Sequence, residues 1–120
     1  DIITQYFFDN NLFYSFRELL TVNKIGANLI PGIIPITNFQ KIREFSIKCG
    51  ASIPKTFEVI FDDHFSNLNN EEQLEIILSI IADQAKDLIQ NGINNLHIYS
   101  LNQISLMDQI INKLNIDNVK

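Results

Sequence analysis

The sequence predicts an α/β fold built on parallel strands, and three observations carry that prediction. Short β-branched and aromatic runs occur three times, each is followed by a stretch with helical apolar spacing, and strands separated by helices favour a parallel sheet with right-handed crossovers. At 120 residues and 46% hydrophobic content the chain has the size and apolar content of one small domain. Neither a linker nor an internal repeat divides it.

The first strand is read over Ile2 to Phe8, ending at the polar run from Asp9 to Asn11. Asp9 caps the helix that follows, whose Leu12, Phe16, Leu19 and Leu20 fall on one stripe. Asn28 to Ile33 is the second strand. It runs into "PGIIP", residues 31–35, and proline and glycine this close together mark a strand's carboxyl end turning into a loop, where proline is tolerated and glycine permits close backbone approach. Thr37 or Asn38 caps a second helix carrying Phe39, Ile42, Phe45 and Ile47, and Gly50 stops it. Pro54 opens a short extra helix, and the polar run "SNLNN" after it is a loop. Glu71 to Gln90 is the longest periodic segment, with Leu74, Ile77, Ile81, Ala85 and Leu88 on one face and Asn91-Gly92 closing it. Leu96 to Leu101 is the third strand and Ile104 to Leu114 the last helix. Tyr6, Phe7, Phe8, Phe13, Tyr14 and Phe16 are read mostly as packing.

Three parallel strands are few for an independent unit, because their outer edges present unpaired backbone groups and both faces need cover. The chain also opens directly on a strand. Both features lead us to expect a partial domain, residues 1–120, cut from a longer protein.

The net charge of −5, without long blocks of one sign, gives no electrostatic footprint for nucleic acid or an anionic membrane surface. No apolar run reaches the length of a membrane span, and the N-terminus lacks a signal peptide's basic flank. Cys49 is the single cysteine and is expected to be a buried structural thiol in a reducing cytoplasm, and no Cys/His cluster has metal-ligand spacing.

Each strand finishes in a polar group within apolar surroundings: Gln5, then Asn38 after "PGIIPIT", then Asn102. Sites in parallel α/β folds are built at that end, so the three are expected to share one mouth on adjacent strands paired in sequence order. Taken alone, Gln5 is either a hydrogen-bonded core residue or a ligand contact, and Phe45 either core or ligand packing. His97 is read as structural and His64 as a surface residue.

"ITQYFFD", "IPGIIPITNF", "CGASIP" and "LHIYSLN" occur in that order, and together the chain resembles the C-terminal part of methylenetetrahydrofolate reductase. The resemblance covers essentially the whole chain. It implies a TIM (β/α)8 barrel of which these are the last three β/α units, strands six to eight. It further implies a cytoplasmic FAD flavoprotein, a homo-oligomer when complete, that reduces 5,10-methylenetetrahydrofolate to 5-methyltetrahydrofolate with NADH or NADPH in one-carbon and methionine metabolism, both substrates using one pocket in turn.

By that resemblance Gln5 contacts both the reductant and the folate, and Phe45 packs against whichever occupies the pocket. Lys41 stands where a glutamine often meets the folate, and Gln103 where an arginine is common. Lysine can hold a carboxylate as a point charge, whereas Gln103 lacks arginine's bidentate fork. The family's general-acid glutamate and most of its flavin contacts belong to earlier strands, so no catalytic residue is assigned here, and the isolated chain is expected to need the rest of the barrel. The chief alternative is a non-catalytic α/β remnant or interaction module. Another flavin-linked barrel, of the proline dehydrogenase type, ranks last.

Overall fold

The computed structural model describes residues 1–99 and 108–113. Its elements run β1 (Ile2–Tyr6), α1 (Asn10–Val22), β2 (Leu29–Ile33), α2 (Phe39–Cys49), α3 (Lys55–Ile60), α4 (Asp63–Ser66), α5 (Asn70–Gln90) and β3 (His97–Ile98). Residues 108–113 are helical. The three strands form one sheet in the order β1-β2-β3, both pairs parallel, so strand class, direction and pairing follow the sequence reading.

Helix boundaries are set by local chemistry. Asp9, Asn38 and Asp62 each accept a backbone N–H of the helix they precede. Asn69 and Glu72 exchange hydrogen bonds in a capping box at the start of α5. Gly50 ends α2 with φ 72°, a conformation that a side chain resists. Pro54 precedes the first turn of α3 as its cap rather than opening it, and the segment read as one short helix divides at Phe61-Asp62 into α3 and α4.

The pairing between β1 and β2 is irregular. Ile3 lies opposite Ile30 and Tyr6 opposite Gly32, so Thr4 and Gln5 together face Pro31. This is a bulge with one extra residue in β1. Pro31 has no N–H to give to a ladder, and it occupies the place where the ladder is broken. The Gly32 N–H is taken by the Thr4 hydroxyl at 2.9 Å instead. The first strand ends at Tyr6 rather than Phe8, because the Phe7 carbonyl accepts from Gln84 of α5 at 2.7 Å and the Phe7 ring stacks on Phe13.

Two cores flank the sheet. The first is mainly aliphatic, joining Phe13 of α1, Ile33 of β2, Ile81, Ala82, Ala85 and Leu88 of α5, Ile93 and Ile110. The second is richer in aromatics, joining Tyr6, Ile34, Ile36, Ile42 and Phe57, with Phe8, Phe39, Phe61 and Tyr99 against it.

Three expectations about which side chains face inward are corrected. On α1 the stripe of Leu12, Phe16 and Leu19 is exposed and Phe13 is the buried residue, because α5 approaches from the Phe13-Tyr14 side. On α2 the inward positions are Ile42 and Ser46, while Ile47 is 70% exposed; Ser46 is one helical turn beyond Ile42, and Ile47 is rotated off that line. Cys49, at the end of α2 just before the Gly50 cap, is exposed and free rather than buried.

Candidate functional site

The bulge gives the site its first group. Opposite Pro31, Gln5 leaves the regular alternation and its exposed side chain lines a cavity of about 670 Å3 at the carboxyl end of the sheet. The cavity is walled by Tyr6, Ile34, Ile42, Phe45 and Tyr99, with Lys41 as its cation. β1 therefore supplies Gln5 and Tyr6, the chain after β2 supplies Ile34, and α2 supplies Lys41, Ile42 and Phe45. Asn38 caps α2 through the Lys41 N–H at 3.1 Å and so fixes where the helix begins.

The walls are held by named contacts. Tyr99 donates from its hydroxyl to the Thr4 carbonyl at 2.8 Å, and its ring lies against Gly32. A Cβ on Gly32 would stand 2.5 Å from the Thr4 carbonyl oxygen and 2.6 Å from the Tyr99 ring, which is why β2 carries glycine there. Tyr6 shares a 2.9 Å hydrogen bond with the fully buried Ser46 and has rings on several sides: Phe8 at 5.5 Å, Phe45 at 6.2 Å and Tyr99 at 6.5 Å. Phe45 is 52% exposed, its free surface turned to the cavity.

Chemically, the cavity offers aromatic walls for a flat ring, one amide able both to donate and to accept, and one ammonium for an anionic group. Among the described residues no three His, Cys, Asp or Glu side chains stand together as a metal site. His97 is half-buried with its ring edge-on to Tyr99 at 4.4 Å, and His64 is exposed on α4.

Of the residues singled out in the sequence, Gln5, Lys41 and Phe45 are brought together, although they stand up to a third of the chain apart. Asn38 lies at the same end of the sheet as Gln5. Asn102 and Gln103 lie outside the described residues. Sequence reasoning missed Tyr99 and the pairing of Tyr6 with Ser46. The signal for Tyr99 was Gly32 itself, since a glycine inside a buried strand marks a close neighbour without naming it.

A family model described as methylenetetrahydrofolate reductase matches residues 1–115. The chain belongs to the methylenetetrahydrofolate reductase family. It is 39% identical over 103 residues to the 5,10-methylenetetrahydrofolate reductase of Buchnera aphidicola from Acyrthosiphon pisum, covering 84% of this chain and 34% of that protein. It is 28% identical over 116 residues to the Escherichia coli K12 reductase, covering 95% of this chain and 38% of that protein. The maize protein named methylenetetrahydrofolate reductase (NADH) 1 is 30% identical over 101 residues, 84% of this chain and 17% of its own length. The chain thus spans about a third of the bacterial reductases it matches, in their C-terminal part. The cavity is formed within that shared segment. Among the described residues no helix is long and apolar enough to cross a membrane.

Proposed function

We propose that residues 1–120 are one partial domain, strands six to eight with their helices, of the (β/α)8 barrel of a cytoplasmic, FAD-dependent methylenetetrahydrofolate reductase that uses NADH or NADPH. The observation that carries this reading is the convergence of Gln5, Lys41 and Phe45 on one aromatic-walled cavity at the carboxyl end of parallel strands, in a chain of that family. The exposed stripe of Leu12, Phe16, Leu19 and Val22 on α1, together with Ile2 and Ile3 on edge strand β1, supports an incomplete layer that a preceding β/α unit covers.

The residues present suit flat, ring-bearing substrates better than a whole dinucleotide. The cavity holds Lys41 as its cation and no glycine-rich turn is among its described lining, so this cavity offers no cradle for a pyrophosphate. In this reading the FAD is held mainly by other parts of the polypeptide, and when bound it supplies the hydride relay between reductant and folate. Within this chain, Phe45 packs on the nicotinamide or the pterin ring, whichever is present. Gln5 orients either ring through its amide, which suits both because it donates and accepts. Lys41 holds a carboxylate of the folate as a point charge. The apolar walls Ile34, Ile42 and Tyr99 exclude water around the reacting rings.

The test is Gln5→Ala in the full-length protein, with rapid-mixing measurement of flavin reduction by NADH and of flavin reoxidation by methylenetetrahydrofolate. Loss of an amide that bonds both substrates slows both half-reactions about tenfold, with an unchanged flavin-to-protein ratio. Lys41→Ala slows only the folate step. Normal rates in both steps for Gln5→Ala would sink the assignment, and flavin lost along with activity would make Gln5 a structural residue. A full-length protein with neither half-reaction would favour the non-catalytic interaction module.

A further inference from the structure

Ser46 is a polar side chain that is 0% exposed and sits in the middle of α2, on the face that turns to the sheet. Serine in a helix interior ordinarily points to water or bonds back to its own helix. Here it reaches across to Tyr6, a residue only 7% exposed, and the two hydroxyls meet at 2.9 Å in a buried contact between positions 40 residues apart. Each partner is the chain neighbour of a residue assigned to the substrates: Tyr6 follows Gln5 at the end of the bulge, and Ser46 follows Phe45 on α2. Of the two walls, one belongs to the sheet and the other to α2, whose Ile42 shares a core cluster with Tyr6 and whose Ser46 makes this hydroxyl pair.

We propose that Tyr6 and Ser46 are positioning residues, a buried strut that sets the separation between Gln5 on β1 and the pair Lys41 and Phe45 on α2, and through it the affinity for ring-bearing substrates. Two apolar residues would pack here as well, but they would not fix one distance, because apolar contact has no preferred direction whereas a hydrogen bond does. The strut also holds the face of Tyr6 near Phe45, at an interplanar angle of 31°, so that both rings present surface to the same cavity. The inference rests on the reductase reading of the cavity and adds to it how the pocket's width is kept.

The experiment uses the full-length protein and three variants, Tyr6→Phe, Ser46→Ala and the double variant, each with two readouts: backbone amide exchange over residues 39–49, and KM and kcat for NADH and methylenetetrahydrofolate. Each single variant strands one buried hydroxyl and frees α2. Amide exchange over α2 then quickens, both KM values rise about fivefold, kcat changes less than twofold, and flavin content holds. In the double variant neither hydroxyl is stranded, so the melting temperature recovers toward the parent value while KM stays raised. A merely structural bond behaves differently, with KM returning to normal together with stability, and that result would overturn the proposal. Unchanged amide exchange in both single variants would also overturn it, as would quicker exchange with unchanged KM. If the unaltered full-length protein carries out neither half-reaction, the reductase reading fails and the exchange arm decides the strut by itself.

Discussion

The two sides of the sheet solve the same packing problem in opposite ways. On one side α1 and α5 close over an aliphatic core in which Ile33, Ala85 and Leu88 are entirely buried. Polar contacts there lie at the margin: Tyr14 donates to the Asp87 carboxylate at 2.6 Å, Asn10 donates to it at 2.9 Å, and Arg17 donates to the Asn91 carbonyl at 2.8 Å. On the other side α2 and α3 close over aromatic rings, the polar contact between Tyr6 and Ser46 is buried, and a cavity remains. Both clusters are close-packed where they are buried, and the second differs in having an open margin where Phe45 stays 52% exposed beside the cavity. The difference separates a side that is closed by packing from a side that keeps an open cavity.

The contrast breaks most sharply at Leu88. Leu88→Ala removes buried volume from the tight side and is expected to cost about 3 kcal/mol in chemical denaturation of the full-length protein, with KM of the remaining folded protein unmoved. A raised KM at full stability would show that the two sides are not separable. Gly32→Ala tests the Tyr99 wall of the cavity from the other direction. The added methyl meets a backbone carbonyl and the Tyr99 ring, so it costs about 2 kcal/mol and also displaces Tyr99, lowering substrate affinity along with stability. Unaltered affinity would mean that Tyr99 forms no part of the working pocket.

The smallest expected effect sharpens the comparison through pH. Burial against α5 and the neighbouring Asp87 carboxylate, which accepts the Tyr14 hydrogen bond, push the Tyr14 hydroxyl up to about 12. Because this folded value lies above the unfolded one of about 10, the stability it contributes is complete below pH 10 and is lost as pH rises toward 12. Asp87 is held below its ordinary value, first by the Tyr14 hydrogen bond and then by Asn10, so its contribution is present above the unfolded carboxylate value and disappears as pH falls through the folded one. Tyr14→Phe should flatten the alkaline decline in melting temperature between pH 10 and pH 12 and leave the substrate KM values alone. An unchanged alkaline decline would remove Tyr14 as its source.

Much of this division was legible in the sequence, and the parts that were not have physical reasons. Asp9, Asn38 and Gly50 announce helix ends because capping is local chemistry, decided within a turn. "PGIIP" announces a strand's end for the same reason. Which stripe of a helix faces inward is decided by whatever packs on it, and α1 carries apolar residues on more than one side, so the exposed set of Leu12, Phe16 and Leu19 was indistinguishable from a core by spacing. Ser46 and Ile47 invert the usual rule because the inward position meets a tyrosine hydroxyl, a partner 40 positions away that no local pattern encodes. Within the site, Gln5, Lys41 and Phe45 were found through resemblance, since periodicity alone treats Phe45 as core. Tyr99 was hidden because a glycine records only that something lies near.

The hydrogen bond from Tyr99 to Thr4 links positions 95 residues apart, with Gly32 of the middle strand wedged between them. Contacts this distant in sequence are entropically slow to form, because the intervening chain must be closed into a loop before any of the reward is collected. During synthesis Thr4, Gln5, Lys41 and Phe45 all leave the ribosome well before Tyr99. The Tyr99 wall is therefore the last part of the cavity to be made: the residues of α1 to α5 are synthesised before it, and the cavity is closed on that side only when the third strand docks.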